Sequence, residues 1–126
     1  YMQRYPREYF LQRVMAGEFY LALDEQEKPA GIMALLTEDP RWEGSEPKNC
    51  YYVHHLAART GAKGAGRALL RFCEELSRQE GREVVRLDCQ LGNRKLNDFY
   101  ESLGYEYAGP MVEGEYEGIK REKKLD

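Results

Sequence analysis

Three glycines lie within residues 61–66, between two stretches with different hydrophobic patterns. A run typical of a β-strand precedes them at 51–58, and a run with helical periodicity follows them. Glycine lets the backbone turn sharply and lets a ligand approach it closely. The helix that begins here presents unpaired N–H groups and the positive end of its dipole. The segment therefore predicts a strand–loop–helix unit that binds a phosphate or pyrophosphate, flanked by the charges of Lys63 and Arg67.

The glycine segment has three other interpretations, of which the two named nucleotide-binding motifs fit the residues less well. Glycine in a strand-to-helix turn often does no more than relieve backbone strain, and short glycine patterns are frequently accidental. A nucleotide-triphosphate loop needs Ser or Thr after a Lys at the helix start, whereas Gly66 is followed by Arg67 and Ala68. A dinucleotide fingerprint needs a third Gly or Ala where Leu69 stands, although Asp88 occupies a suitable position for a ribose-binding acid.

A second motif occupies residues 92–105. Asn93 is a favourable N-cap and Gly104 is suited to the left-handed residue that follows a helix, so the segment predicts a helix with defined ends. Taken without any resemblance, Asn93 is a capping residue and Tyr100 is a core residue.

The other patterns predict an alternation of strands and helices. The strand 51–58, the glycine-initiated helix ending near Gly81 and the strand 83–89 form a unit that predicts a parallel strand pair, with a ligand site at the carboxyl ends. Trp42 lies in a polar loop and is more often a packing anchor than a substrate contact at such a position. The remaining predictions are a helix at 6–16, strands at 19–24, 30–36, 105–108 and 116–123, a turn at Gly109-Pro110, and a solvated edge strand over the charged run 120–124.

The strand 51–58 contains both histidines of the chain. A period of two puts Tyr52, His54, Leu56 and Ala58 on one face of the strand. The opposite face then carries Tyr51, Val53, His55 and Ala57. On this pattern the two histidines cannot share one metal ion.

Composition limits the classes of function. A length of 126 residues and 33% charged residues predict one globular domain over 1–126, without a membrane-spanning run or a signal peptide. The three cysteines are widely separated and form no CxxC pair, which favours a reducing cytoplasm over a disulfide framework or a zinc site. A net charge of −3 without a long basic tract argues against nucleic acid as a partner.

Together the two motifs resemble those of the GNAT superfamily of N-acetyltransferases. In that family Gln or Arg, two residues, Gly, one residue and then Gly or Ala wrap the pyrophosphate of acetyl-CoA. Residues 63–70 match the second half of this signature, while Gly61 stands where Gln or Arg is usual. The spacing of Asn93 and Tyr100 is also characteristic of the family, and the resemblance extends over residues 5–125.

The resemblance implies a mixed, splayed β-sheet flanked by helices on both faces, with acetyl-CoA in the notch where two central strands separate. The backbone of the strand end would pair with the pantetheine arm, and Asn93 would contact the same arm. The implied cofactor-binding residues are Leu56, Ala57, Ala58, Gly61, Ala62, Lys63, Gly64, Ala65, Gly66, Arg67, Asn93 and Tyr100.

The implied reaction is direct acetyl transfer to a primary amine in a ternary complex. Tyr100 would lie near the thioester sulfur as general acid, and His54 would act as base, directly or through a water. A backbone N–H near Leu56 would polarise the thioester carbonyl. The acceptor, a small-molecule or peptide amine, is not identified by the sequence.

Members of the family usually place a strand and a long helix ahead of the segment 6–16. Their absence predicts an N-terminally short or truncated form, and a missing edge strand invites pairing into a homodimer. The same omission leaves open a non-catalytic acyl-CoA-binding sensor or regulatory module as the alternative function.

Overall fold

The computed structural model describes residues 17–126. The helix predicted at 6–16 lies outside this part of the chain. Six strands form one sheet in the order β1-β2-β3-β4-β6-β5. The strands are β1 (Phe19–Leu23), β2 (Pro29–Leu36), β3 (Cys50–Ala58), β4 (Val84–Gln90), β5 (Glu106–Glu113) and β6 (Tyr116–Lys124). Two helices, α1 (Ala65–Gln79) and α2 (Arg94–Ser102), and a 3-10 turn at Pro40–Trp42 complete the fold.

The sheet splits in its middle. Strands β3 and β4 are the parallel pair expected from the sequence, but they are paired only at Cys50↔Val84, Tyr51↔Val85 and Tyr52↔Arg86. Beyond Tyr52 the two strands separate, whereas β4 stays paired with β6 up to Gln90. The predicted mixed and splayed sheet is therefore confirmed, and the split leaves one edge of β3 open inside the molecule.

Both helices lie on the same face of the sheet. Helix α1 connects β3 to β4 and α2 connects β4 to β5, so each crossover advances in the same direction across the sheet. Right-handed crossovers in one direction place their helices on one face. Within residues 17–126 the expected helix on the second face is not found. The core under the helices contains Met33, Leu35, Val53, Leu69, Leu70, Cys73, Val85, Leu87, Cys89, Tyr100 and Tyr105.

Gly31 lets α1 approach the sheet closely. A Cβ at this position would lie 3.1 Å from the carbonyl oxygen of Ala57 and 3.2 Å from the side chains of Ala65 and Leu69. These distances are shorter than ordinary contacts with a methyl group, so a larger residue would push the first turn of α1 away from β2 and β3. The position of the glycine loop thus depends on a glycine in a neighbouring strand.

The second face is covered by the loop between β2 and β3. Trp42 is 4% exposed and packs with Tyr52, at 5.7 Å between ring centroids. The guanidinium of Arg86 lies 4.6 Å from the Trp42 ring centroid, and the ammonium of Lys120 lies 5.3 Å from it. Trp42 is therefore a packing anchor that fixes this loop on the sheet, which agrees with the structural interpretation of the sequence.

A β-bulge changes the phase of β3. Ala57 pairs with Ile32 and His54 with Ala34, so an extra residue of β3 lies opposite β2, and His55 adopts a left-handed backbone with φ of 55°. The strict alternation predicted for 51–58 is wrong beyond His54 because a bulge inserts one residue and shifts the following side chains to the other face.

The consequence of the bulge for the two histidines can be seen in their ring contacts. Phe19, Ala34 and His54 occupy opposed positions on three neighbouring strands and share a face. The His55 ring stacks on Phe19 and lies 6.0 Å from the His54 ring. His54 and His55 therefore project to the same side of the sheet rather than to opposite sides.

The C-terminal hairpin differs from the sequence prediction in two ways. Strand β5 continues through Gly109 and Pro110, where a turn was expected, because a bulge between Tyr107 and Gly109 absorbs the irregularity. An edge strand tolerates proline because its outward N–H has no ladder partner.

The predicted edge strand over 120–124 is also wrong. Strand β6 lies between β4 and β5, and it buries Lys120 and Arg121. Buried cations are tolerated where they are paired, and here Lys120 donates to Ser45 at 3.1 Å while Arg121 donates to Asn97 at 3.1 Å.

No helix within residues 17–126 has the length and apolarity that crossing a membrane requires.

Candidate active site

The glycine loop forms a group of unpaired donors at the start of α1. Gly64 is the N-cap, with φ of 82°, and it supplies no side-chain cap. The first helical hydrogen bond runs from the N–H of Ala68 to the Gly64 carbonyl at 2.9 Å. The N–H groups of Ala65, Gly66 and Arg67 precede that bond and have no partner within the helix. Three donors and the helix dipole thus converge on one point, as an anion site requires.

Three cavities lie in a row along the split of the sheet. The first, of about 520 Å³, is at the glycine loop. Its lining joins the end of β3 to the loop and to α2. The residues are Leu56, Ala57, Ala58, Ala62, Gly64, Gly66, Arg67, Leu96, Phe99 and Tyr100. Most of the predicted cofactor-binding residues are therefore brought together here, and Gly61, Lys63 and Ala65 belong to the same loop without lining the cavity.

The second cavity, of about 370 Å³, is the notch where β3 and β4 separate. Tyr100 and Leu56 line both the first cavity and the notch, so the two spaces adjoin at these side chains. Asn93 lines the notch and caps α2 by accepting the N–H of Leu96 at 3.0 Å. The notch is lined by Val53, His54, His55, Leu56, Leu87, Asp88, Cys89, Gln90, Asn93, Leu96, Tyr100 and Tyr116.

The third cavity, of about 630 Å³, lies on the other side of His54, under the loop that follows β2. His54 lines this outer cavity and also the notch. Carboxylates from three segments, Glu18, Glu38 and Glu113, contribute to its lining. Glu113 comes from the end of β5, close to the tip of the C-terminal hairpin.

Tyr100 reaches the junction of the first two cavities from the buried face of α2. Its side chain is 4% exposed and packs edge-on against Tyr105. Burial raises the pKa of Tyr100 well above its ordinary value, and the nearby Cys89 and Asp88 add to the increase. Among residues 17–126 its hydroxyl has no hydrogen-bond partner, so the proton is available to a group in the notch.

The orientation of α2 depends on a buried amide. Asn97 donates to the carbonyl oxygens of Gln90 and Asn93, at 3.1 and 2.9 Å. The oxygen of Asn97 accepts a hydrogen bond from Arg121 on β6. These bonds connect α2 to the end of β4 and to β6, and they hold Asn93 and Tyr100 at the notch.

His54 belongs to a network that the sequence interpretation did not include. Its Nε2 lies 2.9 Å from Asp39 Oδ2, and its Nδ1 lies 3.5 Å from Arg41 Nη2. The Asp39 carboxylate also accepts the backbone N–H, Nε and Nη2 of Arg41, at 3.0, 3.1 and 3.0 Å. Burial by itself raises the pKa of a carboxyl, but the bonds from His54 and Arg41 outweigh it and hold the pKa of Asp39 well below its ordinary value.

Arg41 extends this network across the split to β4. Its Nη2 donates to Asp88 Oδ1 at 2.8 Å, and the hydroxyl of Tyr116 donates to Asp88 Oδ2 at 2.7 Å. Burial and the hydrogen bond to this carboxylate raise the pKa of Tyr116. Asp88 therefore faces the notch as the partner of a cation and a phenol, and not as a ribose-binding acid near the glycine loop.

The missed residues carry only a weak signal in the sequence. Asp39 followed by Pro40 is the pattern of a short helical turn with a capping side chain, and Asp39 does cap the turn. Nothing local to the sequence indicates that Arg41 pairs with Asp88, which lies 47 residues away. Within the described residues no group of three or more His, Cys, Asp or Glu side chains is arranged to hold a metal ion.

Comparisons with known proteins agree with this geometry. Residues 1–105 match the model of the acetyltransferase (GNAT) family. The uncharacterized N-acetyltransferase YesJ of Bacillus subtilis (strain 168) is 28% identical over 97 residues, which cover 71% of this chain and 54% of that protein. The chain thus spans about half the length of this curated relative.

Two solved structures have a similar fold. The crystal structure of a GNAT family acetyltransferase from Listeria monocytogenes 4b F2365 is 25% identical and has a TM-score of 0.76, covering 92% of this chain and 69% of that chain. The NatC complex bound to Gag peptide and CoA matches at 16% identity and a TM-score of 0.75, over 97% of this chain and 81% of that chain, which is a likeness of fold alone. The family match over residues 1–105 therefore identifies this chain as a member of the GNAT acetyltransferase family.

Proposed function

We propose that the protein transfers the acetyl group of acetyl-CoA to a primary amine by direct attack in a ternary complex. The observation that carries the proposal is the row of three adjoining cavities. Tyr100 lies where the glycine-loop cavity meets the notch, and His54 lies where the notch meets the outer cavity. Both side chains line the notch, where the acyl group would lie, so a proton donor and a proton acceptor would each have access to it.

The glycine loop has the features that a pyrophosphate needs. Among residues 17–126 a Cβ at Gly61 or Gly64 would meet no atom within 4 Å, and one at Gly66 would meet only Phe99 at 3.9 Å, so this backbone is not covered by the described part of the chain. The unpaired N–H groups of Ala65, Gly66 and Arg67 would bind the phosphate oxygens, with Lys63 and the side chain of Arg67 adding positive charge. The chain therefore fits CoA at this end of the row.

The end of β3 would bind the pantetheine arm and polarise the carbonyl. Among residues 17–126 the strand has no partner on its β4 side beyond Tyr52, so its backbone groups there would be open to a ligand. The bulge at His55, where the backbone is left-handed, changes the orientation of the backbone groups in this part of β3. We assign the polarisation of the thioester carbonyl to an N–H near Leu56, because a fixed donor at developing negative charge stabilises the transition state.

Two side chains would move protons in the reaction. The amine nitrogen forms a bond to the acyl carbon and the carbon–sulfur bond breaks, so one proton leaves nitrogen and one is needed at sulfur. His54 would accept the first, directly or through a water, and Tyr100 would donate the second. The raised pKa of Tyr100 keeps its hydroxyl protonated at neutral pH, which is the state that can donate.

A thiol-release assay with acetyl-CoA and a panel of primary amines tests the proposal. We expect release of CoA that depends on one class of amine and on both His54 and Tyr100. In the His54→Ala variant the defect should decrease as pH rises towards the pKa of the amine, because the acceptor then arrives already deprotonated. Binding of acetyl-CoA without turnover for any amine would instead favour a non-catalytic acyl-CoA sensor.

A further inference from the structure

Two contacts of the His54 ring determine which of its nitrogens carries the hydrogen. We infer that Asp39 and Arg41 together hold His54 as the Nε2–H tautomer, so that Asp39 is a positioning residue for the proposed base and the lone pair lies on Nδ1. This inference rests on the proposed function for its catalytic meaning. It concerns two residues of the β2–β3 loop to which the proposed function gives no role.

Asp39 provides the first constraint. Its side chain is 3% exposed and its Oδ2 lies 2.9 Å from Nε2. An ionised carboxylate can only accept hydrogen bonds, so Nε2 must donate. The carboxylate is ionised because Arg41 donates to both of its oxygens. Nε2 therefore carries the hydrogen.

Arg41 provides the second constraint. Its guanidinium has donors and no acceptor, so a hydrogen on Nδ1 would face another donor. At 3.5 Å the contact of Nη2 with Nδ1 is weak, whereas the same Nη2 lies 3.0 Å from Asp39 and 2.8 Å from Asp88. The two carboxylates thus bind Arg41 more tightly than the imidazole does. Nδ1 therefore keeps its lone pair.

The two neighbours act on different nitrogens of the His54 ring. Asp39 accepts the hydrogen of Nε2, and Arg41 faces Nδ1 with a donor. Other ionisable groups line the two cavities beside the ring. They are Glu18, Glu38, His55 on β3, Asp88 on β4, Glu113 on β5 and Tyr116 on β6. Loss of Asp39 should therefore remove the acceptor that keeps the hydrogen on Nε2, and loss of Arg41 should remove the donor that opposes a hydrogen on Nδ1.

Nitrogen-15 NMR of the histidine side chains tests this directly, because the chemical shift separates a protonated ring nitrogen from one with a lone pair. The chain has 2 histidines, and the His54→Ala variant identifies the His54 signals. In the parent protein we expect hydrogen on Nε2 and none on Nδ1. Hydrogen on Nδ1 in the neutral ring would overturn the inference.

The same spectra of two variants give a readout that a purely structural role would not change. In Asp39→Asn the neutral ring should no longer carry its hydrogen on Nε2 alone, because the amide of Asn can donate to Nε2. In Arg41→Gln a fraction with hydrogen on Nδ1 should appear, because no cationic donor then faces that nitrogen. Asp39→Asn keeps an oxygen for the N–H of Arg41, and so it preserves the cap of the turn. Asp98→Asn is the matched control, because it removes the same charge from an exposed pair on α2. The parental tautomer in Asp39→Asn, or an altered tautomer in Asp98→Asn, would contradict the inference.

Turnover separates this inference from the proposed function. Asp39→Asn should lower kcat by about 10²-fold with little change in KM for acetyl-CoA, because a base held in the wrong orientation loses alignment rather than affinity. The expected NMR shifts combined with parental turnover would remove His54 as the base, and with it the positioning role of Asp39. An unexpected tautomer combined with a large defect in His54→Ala would overturn only the inference and leave the proposed base in place.

Discussion

At the scale of single residues, Tyr100 distinguishes an enzyme from a binding protein. Tyr100→Phe keeps the ring, and so it keeps most of the packing against Tyr105 and Phe99. A positioned general acid contributes roughly 10²- to 10⁴-fold, and we expect kcat to fall by that much. The affinity for acetyl-CoA should hardly change, because the lost interaction belongs to the transition state. Steady-state kinetics and a binding isotherm measure the two quantities, and a Phe variant with parental kcat would show that the acid is another group.

Asp39 connects the site to the pH dependence of stability. Its pKa is lower in the folded protein than in an unfolded chain, where a value of about 3.9 is expected. A carboxyl with a depressed folded pKa stabilises the fold above its unfolded pKa, and this contribution is lost as pH falls towards the folded value. Parent and Asp39→Asn should therefore differ in melting temperature at pH 7, and the difference should decrease as the pH falls below about 4. A constant difference between pH 7 and pH 3 would show that Asp39 acts through packing alone.

At the scale of the elements, the start of α1 determines whether CoA binds. Gly66→Glu would add bulk and negative charge to the surface formed by the N–H groups of Ala65 and Arg67, and we expect severe loss of CoA binding. Gly66→Ala is the control, because its Cβ would meet only Phe99, at the ordinary distance of 3.9 Å. Neutralising Lys63 should cost less, since charges at a solvent-facing site are screened. Isothermal titration with CoA measures all three, and normal binding by Gly66→Glu would place the pyrophosphate elsewhere.

The elements also show how far sequence reasoning extends. Helix α2 was predicted with its cap, because Asn93 accepts a bond from its own first turn and the signal is local. The glycine loop was predicted for the same reason. The bulge at His55 was not predicted, because it depends on how β3 pairs with β2. For the candidate site, His54 and Tyr100 were identified through the family resemblance, while Asp39 and Arg41 act through contacts that only the folded chain creates.

The position of β6 inside the sheet was not predicted from the sequence, for a related reason. The charged run at the end of β6 has the composition of a solvent-exposed edge, and only its pairing with Asn97, Ser45 and the Tyr105 carbonyl makes burial of Lys120 and Arg121 tolerable. Such partners come from distant parts of the chain. Composition predicts solvent exposure for charged side chains that have no partner. In the folded protein, specific acceptors replace the water that would otherwise solvate Lys120 and Arg121.

At the scale of the whole molecule, ligand binding and folding are linked. A ligand that binds only the folded chain raises its stability by about 2.7 kcal/mol at a concentration of 100 times Kd. We expect acetyl-CoA and CoA to raise the melting temperature in this way, and NAD and ATP to have little effect. Thermal denaturation with each ligand at equal concentration makes the comparison, and a larger shift with NAD than with CoA would contradict the proposed cofactor.

The split between β3 and β4 gives the free protein an unfinished sheet. Three residue pairs join β3 to β4. Past Tyr52 the backbone groups on the inner edge of β3 are not paired with β4. An unpaired strand edge on the outside of a protein can pair with a strand of another chain. The inner edge of β3 is instead enclosed by α1, α2 and the Arg41–Asp88 ion pair. A slender ligand with amide groups could complete the ladder where a polypeptide strand could not. Hydrogen exchange of the amides in Val53–Ala58 should then slow markedly when acetyl-CoA binds, whereas the amides of β6, already paired on both sides, should exchange slowly with or without it.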